Sequence, residues 1–226
     1  MMQWKHLLQG TAFAAALALS QSSLAQVITV DFEDAMPNVF GEGESQRFGD
    51  LNLTTLGMGM VGDESACFIT ACPGGASGQF YFGLNDGGLG IADAYGRGFS
   101  LTHFDAAFLA PFALDAQGLV VGRIVLQLTY LTGLAPETFS FDLASQGEDG
   151  AFPFSAFDFA GDSRFQGLSS LTVLACTFNE AGDCLNLNEN LSQFAFDNLV
   201  VDVPAPAPLA LLALGLTGLA GLRRRA

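Results

Sequence analysis

The sequence predicts an all-β protein, a two-sheet antiparallel β-sandwich of the jelly-roll type. Three observations predict it. Short apolar–polar alternations recur along the chain, clusters of Gly, Asn and Asp separate them, and no segment between Gln26 and Val203 sustains a helical period for three turns. Alternate side chains of a strand point to opposite faces, so a period of two marks a sheet covered on one side. Many short strands of this kind bury their apolar faces against one another in two layers.

The elements follow in order. "MMQWKHLLQGTAFAAALALSQSSLAQ" places Lys5 and His6 ahead of an apolar stretch, and Ser23-Leu24-Ala25 closes it with a small-x-small pattern. That layout is a secretory signal peptide over 1–25, with Gln26 as the first mature residue. "VITVDFED" alternates Ile28, Val30 and Phe32 with Thr29, Asp31 and Glu33. "CPGGASGQFYFGLNDGGLGIADAYGRGF" is expected to form one or two long loops around a strand at Gln79–Gly83, and its glycines lack the strand-then-helix layout of a phosphate site. "GRIVLQLTYLTG" sets Ile124, Leu126, Leu128 and Tyr130 against Arg123, Gln127 and Thr129. "TFSFDL", "LSSLTVLACTF" and "LSQFAFDNLVVDV" read as further half-buried strands.

The chain closes on "VPAPAPLALLALGLTGLAGLRRRA". Its apolar run, Leu209–Leu222, would be about 21 Å long as a helix at ~1.5 Å per residue. That is short of the ~20 residues of a comfortable span. A core helix is nevertheless disfavoured: three prolines separate the run from the domain, small residues fill it, and three arginines follow at once. It reads as a membrane-directed tail, and behind an export signal the arginines would stay cytoplasmic. Signal peptide, Pro-x-Pro motif, short apolar helix and terminal arginine cluster together resemble the PEP-CTERM sorting signal of Gram-negative bacteria. The match comprises Pro204, Ala205, Pro206 and then Arg223, Arg224 and Arg225, with Ala205 where that family usually carries Glu. The resemblance implies an exosortase-type membrane enzyme as sorting partner and a setting of exopolysaccharide and biofilm matrix. It concerns 204–226 alone.

Composition bounds the middle domain, 26–203. It keeps four arginines and no lysine against all 23 carboxylates, which leaves a formal charge of −19. Such a surface repels nucleic acid and anionic lipid and attracts divalent cations, so nucleic-acid binding is excluded as a function. Plentiful Phe, Leu and Val set it apart from acidic disordered chains. Four cysteines suit an oxidising compartment, and although three pairings exist, Cys67 with Cys72 and Cys176 with Cys184 are favoured because each pair brackets a turn-like stretch. Loops this small would contribute roughly 2–3 kcal/mol each. Zinc is disfavoured by the spacing and by the lack of nearby histidine.

No residue is assigned a catalytic role. His103 in "LTHFDAAF" stands near Ser100 and Asp105, but residues two apart on a strand share a face for geometric reasons alone, and a surface or structural histidine is the better reading. The abundant acids offer no recognisable glycosidase pair. For stacking on sugars, Tyr81 and Tyr95 in the glycine-rich stretch are the candidates. The domain also resembles the jelly-roll modules that often precede PEP-CTERM tails, opening on "VDFED" and closing on "FAFDNLVVD". Related carbohydrate-binding sandwiches hold a structural calcium where first and last strands meet, and that resemblance implicates Glu33, Asp197 and, less directly, Asp31. Solvated carboxylates on strand edges are the equal alternative. The expected function is an exported, surface-associated, non-catalytic structural or binding module, with exopolysaccharide as a candidate partner. A secreted lyase or hydrolase on the same scaffold is the alternative.

Overall fold

The computed structural model describes residues 25–67, 72–76, 78–110, 115–178, 183–184 and 192–205. The leader up to residue 24 and the tail from residue 206 lie outside the described residues. Among the described residues eleven strands follow one another: β1 (Ala25–Val30), β2 (Asn38–Phe40), β3 (Ser45–Phe48), β4 (Leu51–Gly62), β5 (Phe80–Asp93), β6 (Ser100–Phe108), β7 (Gly122–Tyr130), β8 (Glu137–Asp142), β9 (Ser155–Asp158), β10 (Leu168–Thr177) and β11 (Phe194–Pro204). Val27–Val203 form one unit. No helix among the described residues is long and apolar enough to cross a membrane.

The strands form one antiparallel sheet curled on itself into a sandwich, in the order β8-β7-β10-β5-β11-β6-β9. Strand β4 lies beside β5, β2 and β3 lie on β4, and β1 lies on β11. Strand β5 serves both halves. Its end at 89–92 pairs with β10, and its beginning at 81–83 pairs with β11. Between them Asn85 and Asp86 take positive φ, +51° and +60°, which bends the strand from one half into the other.

This is where the sequence reading of the glycine-rich stretch is corrected. It is not mainly loop: fourteen of its residues form β5, a central strand. Three of the four glycines of β5 are there because neighbours come too close for a side chain. A Cβ on Gly83 would lie 2.2 Å from the Phe194 ring, and one on Gly87 would lie 2.2 Å from the Met58 carbonyl oxygen. The partner strand β4 is likewise hidden from the sequence pattern, because Gly57 and Gly59 interrupt its alternation; Gly57 sits at φ +79° where the β4–β5 register shifts.

The other readings hold at strand level with local changes. Ile124, Leu126 and Leu128 of β7 are fully buried, and Gln127 and Thr129 are exposed. Strand β1 stops at Val30, but Phe32 still enters the core by taking φ +59°. Strand β11 breaks its period where Asn198 adopts φ +50° and the register against β6 shifts. The core is built of phenylalanine. Phe104 packs against Phe157, Phe159 and Phe196 with ring centroids 5.0–5.6 Å apart. Each such ring withdraws apolar area worth roughly 1.5–3 kcal/mol from water. Both local disulfides form, Cys67–Cys72 and Cys176–Cys184.

Candidate functional site

Three polar constructions stand out on this frame. The first joins the β3–β4 turn to the β5–β6 turn. Asp93, the last residue of β5, is buried, and its carboxylate caps the turn by accepting from the backbone N–H groups of Tyr95 and Arg97. Arg97 folds back to donate through Nη2 to Asp93 Oδ1 and Asp50 Oδ2, both at 2.7 Å. Burial pushes the Asp93 carboxyl up, but the hydrogen bonds and charge of Arg97 outweigh it and hold the group below the usual carboxylate range. Tyr95 is left outside, 61% exposed, with the guanidinium carbons of Arg47 and Arg97 each 4.9 Å from its ring centroid. Arg47 also donates to the Tyr95 hydroxyl at 2.7 Å and to the Gly49 carbonyl. The sequence reading found Tyr95 and missed its partners; the "DAYGRG" spacing, a turn with Asp and Arg four apart, is the signal that points to them.

Tyr81 does not join Tyr95. It lies on the inner face of β5, 2% exposed, and its hydroxyl donates to the Gly88 carbonyl at 2.9 Å. Burial raises its pKa to about 12. A ring enclosed in the core has no face to offer a sugar, so the glycan-contact expectation is corrected for Tyr81.

The second construction surrounds His103 on β6. Its Nδ1 lies 2.9 Å from Asp158 Oδ1 on β9, and its Nε2 lies 3.2 Å from Asp105 Oδ1. Both ring nitrogens face carboxylates, an arrangement that clamps β9 to β6. Asp105 also accepts from Asn198 Nδ2 at 2.8 Å. Ser100 takes no part in this cluster: it stands at the far end of the strand opposite Asp202.

The third is the junction of the strands around β1 and β11. Asp197 stands opposite Asp105 in register. Burial pushes its carboxyl up to about 7; Asp105, Glu33 and Asp31 push the same way, and the Asn198 N–H opposes them. The sequence-derived trio Asp31, Glu33 and Asp197 therefore does share one neighbourhood. One oxygen of each is engaged: Asp31 Oδ1 accepts from the Glu33 N–H, Glu33 Oε1 from the Gln79 N–H, and Asp197 Oδ1 from the Asn198 N–H. Calcium takes six to eight oxygens at ~2.3–2.6 Å. Among the described residues no three Asp, Glu, His or Cys side chains gather closely enough to hold an ion, so the trio does not fit a calcium cage as it stands.

The surface also has concavities. A slot between β2, β3, β4 and β5 is lined by Phe32, Phe40, Phe48 and Tyr81, with a free volume of ≈ 10 Å³, enough for about one water. A larger open cleft of ≈ 480 Å³ is lined by Gly74, Gly75, Gly147, Glu148, Asp149 and Pro153. Neither contains an arginine or His103.

No protein-family model and no curated protein matches the chain. Solved structures do. A DUF4465 family protein from Bacteroides caccae aligns with a TM-score of 0.51 at 11% identity, over 78% of this chain and 98% of that one. A second DUF4465 family protein, from Bacteroides ovatus, aligns at 0.42 and 8% over 79% and 99%. The CBM22-2 xylan-binding domain from Paenibacillus barcinonensis aligns at 0.35 and 14% over 77% and 98%. The first likeness places the chain in the same sandwich fold.

Proposed function

We propose that the chain is an exported, non-catalytic module of the cell envelope, held there by its C-terminal tail, with a β-sandwich that serves a structural or polysaccharide-binding role. The observation that supports the non-catalytic reading is where the domain's scarce cations go. Acid–base chemistry on a polysaccharide needs groups of matched pKa converging on a cleft. Here Arg97 is held by Asp50 and Asp93, Arg123 by Asp142, Arg164 by Asp162, and His103 by Asp105 and Asp158. Arg47 is engaged with Tyr95 and Gly49. Four of the five tie strands or turns together, Arg164 pairs with Asp162 inside its own turn, and the cleft is left with two adjacent carboxylates, a proline and glycine.

The export and sorting part of the reading is supported by the two disulfides, which suit an oxidising compartment, and by the tripartite tail. The tail supplies the exosortase-type partner of this proposal.

The test uses one panel of bacterial exopolysaccharides in two assays on the purified protein. Affinity electrophoresis is expected to show retardation by at least one polysaccharide, while reducing-end release stays at the buffer rate. Sustained release of reducing ends from any member would replace the module reading with the lyase or hydrolase alternative.

A further inference from the structure

The domain's arginines are unevenly placed. Three of the four lie at one end of the sandwich, the end made by the β3–β4 turn, the β5–β6 turn (94–99), the β7–β8 turn (131–136) and the β9–β10 connection (159–167). Backbone contacts hold these segments together. Phe99 and Leu168 exchange N–H···O bonds, the Leu131 N–H donates to the Gly167 carbonyl, and the Tyr130 hydroxyl donates to the Arg164 carbonyl. The fourth, Arg123, stands near the other end of β7, opposite Asp142 and Cys176.

The same end carries exposed apolar surface. Tyr95 is 61% exposed, Leu131 49% and Leu134 63%. Its carboxylates are largely neutralised: Asp50, Asp93 and Asp162 are paired with Arg97 and Arg164, and Glu137 lies within charge reach of Arg164. Asp202 is the further acid there. On a domain of charge −19 this end, with three arginines against these five carboxylates, carries a net −2. Strand β11 also finishes here, since Asp202 stands opposite Ser100 at the start of β6. From Val203 only five residues, Pro-Ala-Pro-Ala-Pro, precede the apolar run at Leu209. At no more than ~3.6 Å per residue they reach roughly 20 Å.

We propose that this end of the sandwich lies against a lipid bilayer, with Tyr95, Leu131 and Leu134 in the interfacial layer and Arg47 and Arg164 at the level of the lipid phosphates. The inference rests on the membrane-directed reading of the tail and adds an orientation and a contact surface to it. Tyr has an apolar body and a polar tip that suit the headgroup region, and Arg keeps its charge in water while its stem covers apolar surface. Arg47 and Arg164 are exposed, and beside their bonds to Tyr95, Gly49 and Asp162 each keeps further guanidinium N–H groups to offer a phosphate. The strongly acidic remainder is repelled by anionic lipid more than this end is, so repulsion from the sides favours one orientation. The short proline-rich connection keeps the end within reach of the surface.

The chain from Gln26 onward has no tryptophan, Trp4 being in the leader, so a single introduced tryptophan reports its own surroundings. Leu134→Trp places it at the proposed contact. Leu119→Trp places it at the other end of β7, where Leu119 is 60% exposed, roughly 26 Å away along a nine-residue strand. Each variant of the full mature chain is reconstituted with vesicles of phosphatidylethanolamine and phosphatidylglycerol. The expected result is co-flotation of both, with emission of the Leu134→Trp protein shifted to the blue and quenched by brominated lipid, and emission of the Leu119→Trp protein unchanged. Co-flotation with both tryptophans water-exposed would overturn the contact surface and leave the tail reading standing. Failure to co-float would overturn both. Quenching of the Leu134 reporter on addition of exopolysaccharide, with no effect of lipid, would make this end a glycan surface instead.

Discussion

Asp197 stands out among the described carboxylates by a raised pKa, and its consequence can be measured. The folded chain holds the proton with a pKa of about 7, well above the ordinary carboxylate value, because the group is half-buried among Asp105, Glu33 and Asp31. Between pH ~4 and ~7 the folded state therefore binds a proton that the unfolded state has released, and stability falls as pH rises through that window. Partial exposure screens the effect, leaving on the order of 1–2 kcal/mol. Asp197→Asn removes the charge and keeps the shape. Its melting temperature is expected to exceed that of the parent at pH 8 and to match it at pH 4, read by thermal denaturation monitored by circular dichroism. A variant no more stable than the parent at pH 8 would show that the cluster carries no such strain. The same melts run with calcium and with chelator test the ion site that the resemblance implies, and coincident melts would remove it. A calcium-dependent rise that Asp197→Asn abolishes would establish an ion site at Asp31, Glu33 and Asp197.

At the scale of the element, the lesson lies in β5. Its Val-poor, glycine-rich sequence reads as loop because glycine is the ordinary residue of turns. In the fold it is a bent central strand whose glycines mark close approach by the Phe194 ring, the Leu174 side chain and the Met58 carbonyl. Contacts from strands distant in sequence cannot be read from a local window, so β5 and its partner β4 stayed illegible. Strands such as β7 and β10, whose one face is core throughout, were plain from alternation alone. The same contrast governs the sites. Both disulfides were legible because each pair is local, whereas the Arg97–Asp50 and His103–Asp158 ties join residues 47 and 55 positions apart. If the glycines of β5 are packing residues, Gly83→Ala should overfill the space against Phe194 and lower stability by ~1–3 kcal/mol. Gly41→Ala serves as the control. Its new methyl would meet only Glu44 at 3.9 Å, and urea titration is expected to leave it within ~0.5 kcal/mol of the parent. Equal effects at the two positions would remove the packing explanation.

At the scale of the whole molecule, the parts divide the work. Most of the sandwich's cations tie its strands and turns together, and neither the slot nor the open cleft is lined by an arginine or a histidine. Its phenylalanine core and two local disulfides give a sturdy body, and in the proposed reading the segments at either end carry the address. The central claim is that this body is exported and kept at the envelope by the tail. Removal of Arg223, Arg224 and Arg225 tests it most directly, in a host that carries an exosortase, by separating membrane, periplasmic and released fractions and probing each for the sandwich. The account predicts that the intact chain is found with the membrane or surface fraction and that the truncated chain changes its distribution among the three. An identical distribution of the two chains, or recovery of both from the cytoplasm with unpaired cysteines, would contradict it.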